Sequence, residues 1–511
     1  MRDIPEIESF LKKLEQQREN FLPGEQPGEP PEDKAFEPAA LLTELGLSRR
    51  FVKQNRGRVR YVPAWGWLVF TGAHWERDDQ QAARLAKETI DSLFIEAQEK
   101  RKQAEQLTKD IQERAAAGKL DSLSKDERDK LLEQPKKADG AAVSLMGFAL
   151  ECQRASKVRA LLELAQSDMV SKPEDFDRDL YLLNLANGTL NLKNGKLQPH
   201  NPDDRLTKIS DVEFDPGVQC PRWLAFLERV FNHDQELISF IQRAAGYSLS
   251  GDTGAQCFFF CYGVGANGKT IYLETLRALL GDYAYSLPSD ALMRAQYRNT
   301  GADSVLANLP GARMALASET GEGQRLNEVL VKDLTGGDTI TTRHLYREVF
   351  SFHPSVKLWI RGNHKPKITG QDEGIWRRVR LIPFEVTIPE GERDPNLLEK
   401  LRAELPGVLN WALEGCLSWQ RQGLTKAAAV VQATETYRKE ENVLDQFIDA
   451  CCVIDQAATV RAGDLYKVFQ QWGGQWTQRA FFDALKCKFD KQHTKIGNFY
   501  AGIGLLSEDT R

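Results

Sequence analysis

Apolar residues recur along this chain in three rhythms, and each rhythm predicts a different element. Cys257-Phe258-Phe259-Phe260-Cys261-Tyr262 is an unbroken apolar run of strand length, the pattern of a strand buried on both faces. Mostly apolar runs at 312–319 and 356–363 predict two further strands, and a fourth element spans 376–384. Helical spacing marks 271–280, 140–170 and Trp223 to Tyr247. Residues 81–135 are helix-forming and heavily charged; Leu85, Ile90, Leu93, Phe94 and Ala97 open an apolar face that then fades into Gln, Glu, Lys and Arg. No heptad seam persists there, which argues against a long coiled coil. Alternation predicts short strands elsewhere. The aromatic-rich stretch 61–75 reads as a hairpin or small sheet, and Asn187-Gly188 and Asn194-Gly195 signal hairpin turns within 180–215. Residues 338–352 alternate around a charged centre, which suggests a hairpin with Tyr346-Arg347-Glu348 near its tip. Near the N-terminus, Pro23 to Pro31 reads as a linker.

Composition narrows the class. The chain has 511 residues, 41% hydrophobic and 28% charged, with a formal net charge of −5. That describes a globular protein of several domains. A nucleic-acid partner would have to meet local basic loops and not a globally basic body. No apolar stretch approaches the roughly 20 residues a membrane span needs, and Met1 to Glu6 lacks the design of a signal peptide. The expectation is a cytoplasmic protein with no membrane partner. Eight scattered cysteines form no CxxC pair and no zinc spacing, so neither disulfides nor a structural metal is expected. Cys257 and Cys261 read as buried thiols, and the tryptophans of 61–75 as a packed aromatic cluster in preference to a base-stacking surface.

The chemistry concentrates after the first strand. Gly263-Val264-Gly265-Ala266-Asn267-Gly268-Lys269-Thr270 sits between that strand and a helix, which is the context a phosphate-binding loop requires. Glycines let backbone N–H groups converge on phosphate oxygens, and the helix N-terminus adds partial positive charge. Lys269 would reach the β/γ-phosphates, and the Thr270 hydroxyl would ligate Mg²⁺. Glu319 closes the second strand and is the candidate to meet the metal and orient the attacking water. Asn363 closes the third and could bond both the γ-phosphate and that water. The fourth element opens with Arg377-Arg378, whose guanidinium forks suit the charge of phosphoryl transfer when delivered from a neighbouring subunit.

In order and spacing these elements resemble the superfamily 3 helicases, and among them the phage and plasmid primase-helicases whose ATPase half is shared with the poxvirus primase-helicase. The matching stretches are GVGANGKT (263–270), LASET (316–320), KDLTGGDTITTRHLY (332–346), KLWIRGNHKP (357–366) and GIWRRVRLIPF (374–384). Similarity continues through YLLNLANGTLNLKNGKL (181–197), CPRWLAFLERVF (220–231), RAAGYSLSGDTG (243–254) and ELPGVLNWALEGCLSW (404–419). The resemblance implies an α/β fold with an AAA+-type P-loop core. It implies ATP and Mg²⁺ as cofactors, held by Gly263, Val264, Gly265, Ala266, Asn267, Gly268, Lys269, Thr270 and Glu319. It casts Asn363 as a polar sensor, Arg377 or Arg378 as an arginine finger acting in trans, and Lys332 and Arg343 as further contacts from the neighbouring subunit. Tyr346 and Arg347 stand where the family carries its translocating hairpin tip. Family members form hexameric rings that move along one DNA strand and separate the duplex. Residues 1–175 hold no Asp-x-Asp pair followed by a catalytic histidine, so priming is not expected, and a separate primase or initiator is a candidate partner.

The expected division is a tail to 38, a mixed aromatic and helical region 39–175, a family-specific domain 176–245, the ATPase core 246–390, a helical extension 391–440 and a winged-helix-like domain 441–511. Lys486, Lys488, Lys491 and Lys495 in the last domain would touch DNA phosphates or form a solvated face. The leading functional expectation is an ATP-dependent, ring-forming helicase acting on single-stranded and forked DNA in the replication of a phage, prophage or plasmid within a bacterial cell. The alternative is an ATP-dependent initiation factor that binds DNA without processive unwinding.

Overall fold

The structure is a computed structural model that describes residues 41–288, 291–294, 305–318, 324–344, 349–368, 373–486, 488–494 and 497–506. The described chain divides into two compact units. One comprises residues up to Phe70 with Glu76–Ser171, and the other Thr71–Trp75 with Lys172 onward.

The first unit opens with α1 (Glu44–Asn55), started by Thr43, whose side chain accepts from the Gly46 N–H. Strands β1 (Val59–Val62) and β2 (Gly66–Phe70) pair antiparallel, Val59 opposite Val69, and β3 (Trp75–Arg77) completes the sheet order β1-β2-β3. Trp67 is buried, with Phe51 edge-on at 6.3 Å and Tyr61 at 5.1 Å. The aromatic stretch is therefore a packed cluster here. Helices α2 (Asp79–Ala116) and α3 (Lys125–Cys152) pack along each other, followed by α4 (Ala155–Ala165). A reciprocal capping box, Ser124 with Glu127, starts α3 and turns the charged segment back on itself. Leu85, Ile90, Leu93 and Ala97 share one core with Leu145, Ala149 and Cys152. Beyond Ala97 only Ala104 and Ile111 of α2 are buried, which is where the apolar face fades in the sequence.

The second unit is built round a parallel sheet. It begins with the antiparallel meander β4 (Leu182–Leu185), β5 (Gly188–Asn191) and β6 (Lys196–Gln198), both of whose turns fall at the Asn-Gly dipeptides. Helices α5 (Pro221–Val230) and α6 (Gln235–Leu249) follow. Then come β7 (Phe258–Tyr262), α7 (Lys269–Leu280), β8 (Ala284–Ser286), β9 (Met314–Ser318) and α8 (Glu328–Gly336). The antiparallel hairpin β10 (Ile340–Arg343) and β11 (Val349–Phe352) precedes β12 (Lys357–Gly362), the short α9 (Glu373–Trp376) and β13 (Val379–Pro383). Strand order is β13-β7-β12-β9-β8, with every neighbouring pair parallel. The mixed α/β class expected from the apolar runs holds. Helices α10 (Leu397–Arg402), α11 (Leu405–Gln422), α12 (Ala428–Glu441) and α13 (Val443–Cys451) come next. The chain closes with β14 (Cys452–Val453), β15 (Thr459–Arg461), α14 (Ala462–Gln471), α15 (Gln478–Lys486), β16 (Lys491–Thr494), β17 (Gly497–Ala501) and β18 (Gly504–Leu505). Phe447, Phe469 and Phe481 form the core of this last part.

An aromatic stack fixes α7 to the sheet. Tyr272, in the first turn of α7, lies parallel to Trp223 at 5.7 Å and contacts Trp359 and Phe384 at about 6 Å, and Phe259 stacks on Trp359 at 4.3 Å. At the opposite edge of the sheet, two fully buried cations interrupt the apolar runs. Arg313 donates to Leu249 O and Leu182 O, and Lys357 to Ser250 O, Asp252 O and Ser355 O. They close the carbonyl end of α6, where a helix favours positive charge. Burial, with Arg313 nearby, pushes the Lys357 ammonium well below its ordinary pKa.

Helices α6 and α11 meet backbone to backbone. A Cβ on Gly246 would collide with Cys416 N, and one on Gly415 with Gln242 O. Both glycines are thus demanded by contact and not by φ. Gly246→Ala should destabilise the protein by about 1–3 kcal/mol through overpacking, lowering the thermal midpoint by roughly 2–12 °C; an unchanged melt would show that the helices can part without cost.

Candidate functional site

Residues 263–268 connect the carboxyl end of β7 to the first turn of α7. The loop's course depends on residues that can adopt left-handed backbone: Gly265 has φ +112°, Ala266 +47° and Gly268 +85°. Gly263 is required by contact, because a Cβ there would strike Asn267 Nδ2 and Phe384 O. Two bonds tie the loop to the chain leaving β13: Asn267 Nδ2 donates to Phe384 O at 2.9 Å, and Ile388 N to Ala266 O at 2.8 Å. Among the described residues, the backbone N–H groups of 264–268 donate to no acceptor. A row of unpaired N–H groups at a helix N-terminus is an anion-binding surface.

Lys269 is buried, only 6% exposed. Its ammonium donates to Gly263 O, to Asn267 Oδ1 at 3.2 Å and to Asn363 Oδ1 at 3.1 Å. A phosphate oxygen is a stronger, charge-assisted acceptor for the same group. Asn363 follows β12, which lies beside β7, so two residues 94 apart in sequence meet at one carboxyl edge of the sheet. The Thr270 side chain is exposed in the first turn of α7. These residues fit a triphosphate. The Asn267 amide faces inward and braces the loop, and Val264 forms an exposed apex at 78%.

Glu319, Tyr346 and Arg347 lie outside the described residues. Ser318, the last residue of β9, accepts from Arg361 Nε at 2.8 Å, and Arg361 also pairs with Glu274 of α7 at 3.6 Å. Sequence reasoning missed this Ser318–Arg361–Glu274 relay; an arginine inside an apolar strand end was its one signal. The hairpin register pairs Arg343 with Val349. Arg343 is exposed on β10, and Lys332 is half-buried on α8.

The arginine pair separates. Arg378 is buried, donating Nε to Thr335 Oγ1 at 3.1 Å and Nη1 to Gly374 O; it ties α9 to α8. Arg377 is exposed and donates to Gln256 at 3.1 Å. With Arg380, Lys426 and Arg438 it lines a cavity of about 350 Å³. Arg377 precedes β13, whereas the loop follows β7, and the two strands run parallel in register from Val379–Phe258 to Pro383–Tyr262. Arg377 lies level with Gln256, seven residues before Gly263, so at ~3.3 Å per strand residue it stands roughly 23 Å along the sheet from the loop of its own chain. It cannot reach that loop.

In the last part of the chain, two of the four singled-out lysines are already engaged. Lys486 pairs with Asp483 at 2.9 Å and Lys488 with Asp445; Lys495 lies outside the described residues. No helix among the described residues is long and apolar enough to cross a membrane.

Residues 48–232 match the D5 N terminal like family. A protein of Acanthamoeba polyphaga mimivirus named "Putative helicase" is 29% identical over 321 residues, covering 58% of this chain and 33% of its own length. Proteins of the same name from Frog virus 3 (28% over 268 residues, 49% of this chain and 27% of theirs) and Invertebrate iridescent virus 6 (23% over 395 residues, 68% and 40%) are also similar. The chain spans about a third of the length of the curated relatives it matches. The apo C terminal region of NrS-1 superposes with TM-score 0.37 at 12% identity, covering 58% of this chain and 80% of that one. The family match and the viral relatives support a helicase-related family of the D5 type. The family match also covers 48–175, the part for which the sequence suggested no function.

Arg378→Ala should cost about 1–3 kcal/mol by removing charged hydrogen bonds from a buried site, whereas Arg377→Ala should leave the melting temperature unchanged. Comparing the two thermal melts checks this; equal losses would contradict the separation of roles.

Proposed function

We propose that the protein is an ATP-dependent DNA helicase of the superfamily 3 type, with an AAA+-type core that works as a ring of identical subunits. One observation carries the reading. Lys269 sits in a glycine loop at the carboxyl edge of a parallel sheet, hydrogen-bonded to Asn363 of the adjacent strand, while Arg377 is exposed at the far edge. Strand order β13-β7-β12-β9-β8 supports the same core, because it sets the sensor strand between the loop strand and the strand that leads to Glu319.

In this reading Lys269 and the unpaired N–H groups of the loop bind and orient the triphosphate. Thr270 and Glu319 would hold Mg²⁺, which supplies charge neutralisation on the phosphates when bound. Asn363 positions the attacking water, and Glu319 accepts its proton. Arg377 completes the site of a neighbouring copy, since it cannot serve its own. Lys332 and Arg343 contribute from that neighbour too. Hydrolysis changes the angle between subunits and moves the hairpin carrying Tyr346 and Arg347, which draws one DNA strand through the ring. The C-terminal helices with the β16–β17 wing form a winged-helix-like module for DNA. Hexameric assembly, a replicative role in phage, prophage or plasmid, and cooperation with a separate primase or initiator belong to this reading.

Lys269→Ala and Arg377→Ala should each abolish ATP turnover alone. Mixed in equal amounts they should recover activity at about one interface in four, because random assembly then joins an intact loop to an intact arginine. No recovery on mixing would sink the shared site. Arg347→Ala should spare basal ATPase but lose most DNA stimulation and fork unwinding. If the unaltered protein shows ATP-dependent DNA binding and no strand separation of a forked duplex, it is instead an initiation factor that does not unwind processively.

A further inference from the structure

Three side chains from the last five residues of α12 grip the segment that follows Asn363. Tyr437 Oη donates to Pro366 O, Lys365 Nζ donates to Glu440 at 2.5 Å, and Ile368 N donates to Glu441 at 3.2 Å. Tyr437, Glu440 and Glu441 fall at i, i+3 and i+4, which places them on one stripe of the helix. From the other side, the same segment is bonded to the chain just before α8. Lys367 N donates to Gln324 O at 2.7 Å, and Leu326 N to Lys367 O at 3.0 Å. Pro366, Ile368 and Tyr437 are buried, whereas Asn363 itself is exposed.

We propose that Tyr437 and Glu441 are positioning residues for nucleotide hydrolysis, holding 365–368 so that Asn363 stays aimed at Lys269 and the attacking water. The inference rests on the reading of Asn363 as the residue that places that water, and it adds the device that aims it. An exposed side chain takes its direction from the backbone on either side. On the near side, β12 is fixed as far as Gly362, which pairs with Tyr262. On the far side the clasp from α12 takes over. Among the described residues no backbone N–H reaches the Pro366 carbonyl, so the Tyr437 hydroxyl is its partner. Burial pushes the Tyr437 phenol above its ordinary pKa, which keeps it a donor. Its ring is held in turn, edge-on to Trp376 at 5.3 Å.

Lys365 joins the clasp to the phosphate loop. Its ammonium lies 5.5 Å from the Tyr437 ring and 4.9 Å from the ring of Tyr262, the residue before Gly263. Tyr437 therefore touches both the segment beyond the sensor and the cation that bridges to the loop strand. Reaction geometry is sensitive to such supports, since a misplacement of about 1 Å can cost about 100-fold in rate. Triphosphate binding rests on Lys269 and the loop N–H groups, so loosening the clasp should slow hydrolysis without weakening the grip on the substrate.

Steady-state ATPase kinetics and amide hydrogen exchange test this. Tyr437→Phe removes one hydroxyl and keeps the ring against Trp376. It should lower kcat by at least about fivefold with KM for Mg²⁺-ATP held within about twofold, the split left by a lost transition-state contact. Exchange of the 363–368 peptide should quicken by at least about fivefold while that of 263–280 stays within about twofold. A purely structural tyrosine would loosen 428–441 and leave kcat per folded molecule unchanged; that result overturns the proposal. Glu441→Ala, at the end of α12, should move both readings the same way, and Glu441→Gln, which keeps an oxygen for the Ile368 N–H, should recover both. Equal readings for these two variants also overturn it, and they decide the matter if Tyr437→Phe does not fold. Absence of ATP binding and turnover in unaltered protein would remove the nucleotide reading itself, whereas normal turnover with unmoved kcat in Tyr437→Phe removes the positioning role alone.

Discussion

The closure of the 263–268 loop against the chain leaving β13 is the contact on which the candidate site depends. Gly263 cannot carry a side chain because Phe384 O occupies the space, and Asn267 spends its amide on that same carbonyl. Ala266 is held from the other side by Ile388. These ties keep the loop's own N–H groups turned away from internal partners, and they bring Lys269 into a pocket of carbonyl oxygens. The aromatic stack of Trp223, Tyr272, Trp359 and Phe384 then holds the helix that starts at Lys269. Loosening any of these would let the ammonium swing to solvent, where a lysine is well hydrated and no longer aimed.

Strand polarity imposes a second constraint. In a parallel sheet all carboxyl ends share one edge, so Lys269, Asn363 and Ser318 converge there. Residues that enter strands collect at the other edge. Arg313 and Lys357 enter β9 and β12 and are consumed in closing α6, deep in the core. Arg377 enters β13 and remains exposed, among other cations. The two edges thus carry different chemistry: a lysine, an amide and the loop's N–H groups at one, an exposed arginine at the other.

Several features were legible because they rest on local rules. Unbroken apolar runs announced buried parallel strands, Asn-Gly dipeptides marked the turns of the β4–β6 meander, and a β-branched alternation marked the hairpin of β10 and β11. The glycine loop between strand and helix could be read from spacing alone. Other features were not legible. Arg377 and Arg378 are adjacent and chemically identical; only the packing of α9 on α8 buries one and exposes the other. Lys357 and Arg313 look like surface residues in a list, yet α6 ends over them. Gly246 and Gly415 carry no local signal, since their role is the approach of two helices distant in sequence. The charged stretch 81–135 hid a turn, and it folds as two paired helices because a capping box at Ser124 restarts the second.

The linear order of residues was enough to determine which segments become strand, loop and helix, and that a lysine with a preceding glycine run opens the helix after the first parallel strand. Periodicity and backbone freedom are properties of neighbours, and neighbours are written in the chain. Tertiary structure alone decided that Asn363 reaches Lys269, that Asn267 braces the loop, and that Arg378 is internal. Each of these depends on register and burial between segments tens to hundreds of residues apart, set by how a sheet and its helices pack, and no local pattern encodes that distance.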